Sequence, residues 1–269
     1  MQTRTVVFIH GNFVSKHCWD AWVRRYEQRG YTCVAIAYPG REASVPALKN
    51  AHPDPALRKL GLREVIDHHV RILEALPEKP ILIGHSFGGL LTQILIGRGL
   101  GVAAVAIDSV PPMGVLSLEW SFFRATWPAL NPFAGNAPYF MTFAQWQYAF
   151  VNGMALAEQR AAYDAQTVPE SRRLSRGALG PDGRVDFKRQ RPPLLVMGGE
   201  LDHIMPASLS RTIARRYRNA PSITEYKEFA GRNHYLIGAK GWEEIADYAL
   251  EWAEQKQEAG ESVPMRRAG

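Results

Sequence analysis

The chain has 269 residues, 46% of them hydrophobic and 22% charged, ordinary values that exclude disordered, collagen-like and coiled-coil classes. Its 32 Lys+Arg against 26 Asp+Glu leave a net charge of +6, which raises nucleic acid and membranes as partners to be tested. Two cysteines, Cys18 and Cys33, exclude a disulfide scaffold and a four-cysteine zinc site, and the length suffices to bury a sizeable core without either.

The opening MQTRTVVFIHGN holds an apolar run too short for a signal-peptide core, and no N-x-[ST] sequon occurs, so a cytoplasmic location is expected. Short β-branched runs then alternate with helical patterns, which predicts an α/β fold with a mostly parallel sheet flanked by helices. Strands are expected at Thr5–Ile9, Cys33–Ala37, Pro80–Ile83, Val102–Ile107, Leu194–Met197 and Ile223–Phe229. The first five are near-continuous apolar runs suited to burial on both faces, and the sixth alternates as an edge strand does. Helices are expected at Trp19–Arg29, Leu62–Leu76, Phe87–Gly97, Ala207–Tyr217 and Trp242–Glu254, with a frayed tail over 258–269.

One stretch breaks the alternation. Residues 110–189 are too many for a structureless loop, and Pro111 to Ala157 carries only two charges, Glu119 and Arg124. Trp120 to Phe150 holds 11 of the chain's 28 aromatic residues. Pro128, Pro132, Pro138, Gly135 and several amide side chains interrupt it too often for a membrane span. It is expected to be a helical cap inserted into a core made of 1–109 and 190–257, its aromatic face turned onto that core.

After the third predicted strand comes Gly84-His85-Ser86-Phe87-Gly88-Gly89. The G-x-S-x-G pattern is weak alone, but here it joins a strand to a helix, the setting of a nucleophile elbow. A serine hydroxyl needs a base and a carboxylate to orient that base. Of eight histidines, His234 in GRNHYLIG is the best placed, since its loop follows the last strand. Asp202 in GGELDHIMP is the preferred acid, with Asp108 in AIDSVPP and then Glu200 as alternatives. The oxyanion donors are expected to be the backbone N–H groups of Phe87 and of Asn12 in His10-Gly11-Asn12-Phe13, with Phe13 as the alternative to Asn12.

The set HGNF, GHSFGG, GGELDHIMP and GRNH, in that order, resembles the α/β-hydrolase superfamily, in its serine-nucleophile branch, over essentially the whole chain. The resemblance implies Ser86 as nucleophile, His234 as base, Asp202 as orienting acid and a cap at the aromatic insert. Two departures stand out. Only four residues precede the first strand, so the family's opening antiparallel hairpin is expected to be missing. HGN is similar to haloalkane dehalogenases, but those use an aspartate nucleophile followed by tryptophan where this chain has Ser86 and Phe87.

Gly97-Arg98-Gly99-Leu100-Gly101 has the wrong spacing and context for a dinucleotide site. With no Walker loop, HExxH or CxxC pair, no cofactor and no metal are expected. The basic groups Arg172–Arg191 and Arg211–Arg218 accompany no nucleic-acid motif and read as solvated faces. The expected activity is cleavage of small carboxylic esters with apolar acyl or aryl groups through an acyl-enzyme, without stable membrane insertion. Phe13, Trp120, Phe123, Trp127, Tyr139, Phe140, Trp146 and Ile204 are the expected pocket residues. A C–C bond hydrolase, a cofactor-free haloperoxidase or perhydrolase, and a ligand sensor with little turnover are the competing readings.

Overall fold

The structure is a computed structural model and describes residues 2–261. Six strands, β1 (Thr5–Ile9), β2 (Thr32–Ile36), β3 (Ile81–His85), β4 (Ala103–Ile107), β5 (Leu194–Gly199) and β6 (Thr224–Phe229), form one sheet in the order β2-β1-β3-β4-β5-β6. Every pairing is parallel, with Val6 opposite both Cys33 and Ile81. All strand C-termini therefore lie along one edge of the sheet. Strand order reverses between β1 and β3, and the crevice beyond such a switch point is where ligands bind in open α/β sheets.

The strands β1, β3, β4 and β5 are wholly buried, as continuous apolar runs require. The second strand differs from expectation: β2 is an edge strand, and its first four residues are exposed or half-buried. An apolar run shows what a strand can bury, not how many neighbours it receives.

The expected helices form as α1 (Asp20–Gln28), α3 (Leu62–Glu74), α4 (Phe87–Gly97), α9 (Ala207–Arg216) and α10 (Trp242–Glu261), joined by an unanticipated short α2 (Val45–Asn50) capped by Ser44. Right-handed crossovers running both ways from the switch point put α1 on one face and α4 and α9 on the other. On the first face α10 packs on α1, with Tyr26 O–H donating to the Ala246 carbonyl at 2.7 Å and Arg25 gripping Asp247 at 2.7 and 2.6 Å. A tail is expected from residue 258, but α10 continues to Glu261; residues 262–269 lie outside the described residues.

Between β4 and β5 the chain forms α5 (Trp120–Leu130), α6 (Phe143–Ala149), α7 (Leu156–Gln166) and α8 (Arg172–Gly177). This insert has no separate core. Trp146, Phe150 and Leu174 belong to the same buried cluster as the strands. Among the described residues no helix is long and apolar enough to cross a membrane. Both cysteines are free thiols.

Candidate active site

Ser86 sits between β3 and α4 at φ +57°, a left-handed conformation that a non-glycine residue adopts only when its surroundings enforce it. Its amide donates to the Ile107 carbonyl at 2.9 Å, and its own carbonyl accepts from Gly89 and Val110, both at 3.0 Å. Two glycines make the turn sterically feasible. A Cβ on Gly84 would lie 2.2 Å from the Gly88 carbonyl oxygen, and one on Gly88 would lie 2.1 Å from that of Ile9. The G-x-S-x-G spacing thus follows from backbone segments that touch.

His234 follows β6 and Asp202 follows β5, so parallel pairing of these strands brings both to the edge that carries Ser86. His234 Nδ1–H donates to Asp202 Oδ2 at 2.6 Å, with both side chains fully buried. The other oxygen, Oδ1, accepts the amides of Ile204 and Met205, each at 2.8 Å. Three donors thus hold this one carboxylate in place. With Nδ1 holding the proton, Nε2 of His234 carries the lone pair, and it has no hydrogen-bond partner among the described residues.

Asp108, the alternative acid, is also buried here, at φ +43°. Its Oδ1 accepts from the Gly199 amide at 2.7 Å, while Oδ2 lies 3.9 Å from His234 Nδ1 and forms no hydrogen bond. Burial first, and the neighbouring Asp202 second, push its carboxyl well above the ordinary 3.8. Two adjacent buried carboxyls cannot both ionise cheaply, and Asp202 holds the donors. Glu200 faces away, accepting from the Gly231 amide at 2.8 Å.

His85, the residue before Ser86, reaches the loop that carries the base. Its Nε2–H donates to the His234 carbonyl at 2.8 Å, with the two rings 4.6 Å apart. Burial, then His234, hold its pKa well below 6.5, so it stays a neutral brace for the His234 loop. Donor atoms of His85, Asp108 and His234 lie within 4.8 Å of one another, but Asp202 already takes Nδ1 of His234 and the His234 carbonyl takes Nε2 of His85.

Phe87 opens α4, and neither its amide nor that of Asn12 donates to another group among the described residues. The Asn12 side chain donates to Ser175 Oγ at 3.0 Å, fixing the loop after β1 against α8. The Phe13 amide instead faces the buried Glu170 carboxylate.

A cavity of about 70 Å³, almost wholly apolar, opens beside Ser86. Asn12, Phe13, Phe87 and Ile204 line it together with Phe150 and the inner face of α5 (Phe122, Ala125, Thr126, Ala129 and Leu130). Six of the eight expected pocket residues are placed elsewhere. Trp120, Phe123 and Trp127 point outward from α5, with Trp120 75% exposed. Successive side chains turn by 100° around a helix, so the face carrying 122, 125, 126 and 129 excludes them. Tyr139 lies one layer back, its ring edge-on to Phe13 at 5.7 Å. Phe140 packs toward His52 and Tyr163. Trp146 is fully buried and stacks on Phe150 at 4.2 Å, whose ring meets His234 edge-on at 4.7 Å. The indoles and tyrosines of the insert lie outside the wall, which combines four phenylalanines with small residues such as Ala125 and Ala129. The three- and four-residue spacing of Phe122, Ala125, Thr126 and Ala129, opposite the charged Arg124, was the available signal.

A larger polar cavity, about 220 Å³, lies between α3, α4 and the end of the insert and contains none of the expected site residues. The Arg172–Arg191 group is not one solvated face. Arg172 and Arg176 donate to carbonyls of Pro128 and Asn131 at the end of α5, and Arg191 is buried against Pro192, Ile223 and Thr224. The second group, Arg211 to Arg218, is exposed on and just beyond α9.

The sequence profile described as Alpha/beta hydrolase family matches residues 6–248. A search of curated proteins finds no match. Among solved structures, the chain is similar to polyneuridine aldehyde esterase (15% identity, 94% of this chain and 100% of that one, TM-score 0.66). It is also similar to the monoacylglycerol lipase of Paleococcus ferrophilus (17% identity, 94% of each chain, TM-score 0.67). A third similar structure is the putative non-heme bromoperoxidase BpoC of Mycobacterium tuberculosis H37Rv (17% identity, 95% of this chain and 93% of that one, TM-score 0.71). At these identities the likeness concerns the fold.

Proposed function

The chain belongs to the α/β-hydrolase family, and we propose that within it the protein is a serine hydrolase that cleaves small carboxylic esters with an apolar acyl or aryl group. One observation carries this reading. Asp202 holds the Nδ1–H of His234 at 2.6 Å, leaving Nε2 unprotonated and unpartnered at the sheet edge where strain presents Ser86. Hydroxyl–imidazole hydrogen bonds in resting sites are often long and close only when substrate binds.

In the proposed reaction, Ser86 Oγ attacks the ester carbonyl as His234 Nε2 takes its proton. The carbonyl oxygen, now carrying the negative charge, is held by the amides of Phe87 and Asn12, the first helped by the α4 dipole. The Phe13 amide is the weaker candidate because it faces the buried Glu170 carboxyl. The imidazolium, stabilised by Asp202, returns its proton to the leaving alkoxide and releases the alcohol. Water, deprotonated by the same Nε2, then attacks the acyl-enzyme and frees the acid and Ser86. In this reading the insert is a cap whose α5 closes the acyl pocket.

The cavity has room for roughly five to seven water-sized groups, enough for a short acyl chain or one ring. Its near absence of polar lining disfavours peptides and sugars. The test is turnover of p-nitrophenyl acetate, butyrate and laurate by the wild type and by Ser86→Ala. Preference for the short esters, abolished by the substitution, supports the proposal. Turnover that survives Ser86→Ala, or a preference for laurate, overturns it.

A further inference from the structure

Six large apolar side chains protrude from one short stretch of the insert: Leu116, Leu118, Trp120, Phe123, Trp127 and Phe133. Leu118 and Phe133 are each 90% exposed and Trp120 75%, values at which burial contributes almost nothing to folding. Within α5, Trp120, Phe123 and Trp127 recur at three and four residues and share its outer face. The opposite face of that helix lines the apolar cavity beside Ser86. Both faces of α5 are thus apolar, although only the inner one is well buried. A contiguous exposed patch of this kind marks an interaction surface.

The surrounding charges select the occupant. Arg124 emerges between the aromatic residues on the outer face, its guanidinium 3.9 Å above the Tyr148 ring. Arg172 and Arg176 donate to the carbonyls of Pro128, near the C-terminal end of α5, and of Asn131 and Gly135 in the turn after it, which places two more cations against the segment that carries Phe133. Glu119 is the only acidic residue between Pro111 and Ala157, and its carboxylate accepts a hydrogen bond from Ser208. A two-fold contact with a second copy would bring cationic rim against cationic rim. Tryptophan, with leucine and phenylalanine below it and arginine around it, is instead the composition that settles at the headgroup boundary of a lipid layer.

We propose that the outer face of α5 and its flanking turns form a docking surface for an anionic phospholipid bilayer, on which the protein rests peripherally without spanning it. Docking presents to the lipid the same helix whose inner face lines the cavity. The proposal does not depend on the ester reading, because binding is measured without turnover.

The test is co-sedimentation of the full chain with vesicles of phosphatidylcholine alone or mixed with phosphatidylglycerol, at low and high salt. The expected result is binding that strengthens with phosphatidylglycerol and weakens with salt. The triple variant Trp120→Ser, Phe123→Ser, Trp127→Ser is expected to bind about a hundredfold more weakly while keeping a cooperative thermal transition, since Trp120 is mostly exposed and Phe123 and Trp127 about half exposed. Arg124→Ala separates the charge contribution and is expected to lose several-fold on the mixed vesicles alone. Absence of vesicle binding by the wild type, equal binding by the triple variant, or a lipid-free dimer that the triple variant abolishes would each overturn the proposal.

Discussion

At the scale of single residues, the site turns on which of two buried carboxyls serves His234. Asp202 makes the short hydrogen bond and receives two backbone amides, whereas Asp108 stands at 3.9 Å with one oxygen unpartnered. Asp202→Asn is therefore expected to lower kcat by about 10⁴-fold, because an amide stabilises the wrong imidazole tautomer. Asp108→Asn replaces a neutral acid by a neutral amide and is expected to cost less than about tenfold. The two kcat values, measured on one short ester, decide the assignment. Asp108 also has a pH signature. Its folded pKa is raised above the ordinary 3.8, so the folded state binds a proton that the unfolded chain has released. Its contribution to stability is full below pH 3.8 and declines as pH rises toward the folded value. Melting temperatures of the wild type are expected to fall relative to those of Asp108→Asn as pH increases from 4 toward neutrality, and parallel curves would refute the assignment of a neutral Asp108.

At the scale of elements, the elbow depends on close contact and α5 depends on its two faces. The alanine methyl of Gly88→Ala would meet the Ile9 carbonyl at 2.1 Å, backbone that cannot yield without moving β1 against α4. A loss of about 3 kcal/mol or more is expected, a fall in melting temperature of roughly 6–12 °C by calorimetry. For α5 the two faces predict opposite outcomes. Ala129→Phe fills the cavity and is expected to lower kcat/KM for a butyrate ester by at least about tenfold, whereas Trp120→Ser on the outer face should leave turnover of a dissolved short ester unchanged. Equal effects of the two substitutions would mean that α5 does not wall the site.

At the scale of the whole molecule, the insert and the sheet are one packed body. Phe150 lies between Trp146, on which it stacks, and His234, which it meets edge-on; its carbonyl accepts the Tyr235 amide at 3.0 Å, and Asn152 donates to the Leu201 carbonyl at 2.7 Å. The insert therefore holds the histidine and acid loops from above. Trp146→Ala, although it removes no residue touching substrate, is expected to cost about 3–5 kcal/mol and to lower kcat together with stability, as measured by denaturant titration beside turnover. The Arg25–Asp247 pair that ties α1 to α10 is partly exposed, and Arg25→Ala should cost no more than about 1 kcal/mol.

The sequence by itself determined the alternation of strands and helices and the order of HGN, GHSFGG, ELDH and GRNH along the chain, and it marked a charge-poor aromatic stretch between the fourth and fifth strands. Those features rest on local physics: apolar periodicity, turn-forming glycines, and strands whose ends carry polar loops. It left Asp202 and Asp108 as competitors, because both follow strands that end on the same edge, and only the packed structure distinguishes 2.6 from 3.9 Å. It misjudged the pocket for a related reason. Composition shows that the insert is aromatic, but the rotation of α5 about its axis decides which side chains face Ser86. That rotation put Ala125 and Ala129 inside and Trp120 and Trp127 outside. The role of β2 as an edge strand and of His85 as a brace likewise depended on which segments became neighbours, information carried by long-range packing and absent from any local window.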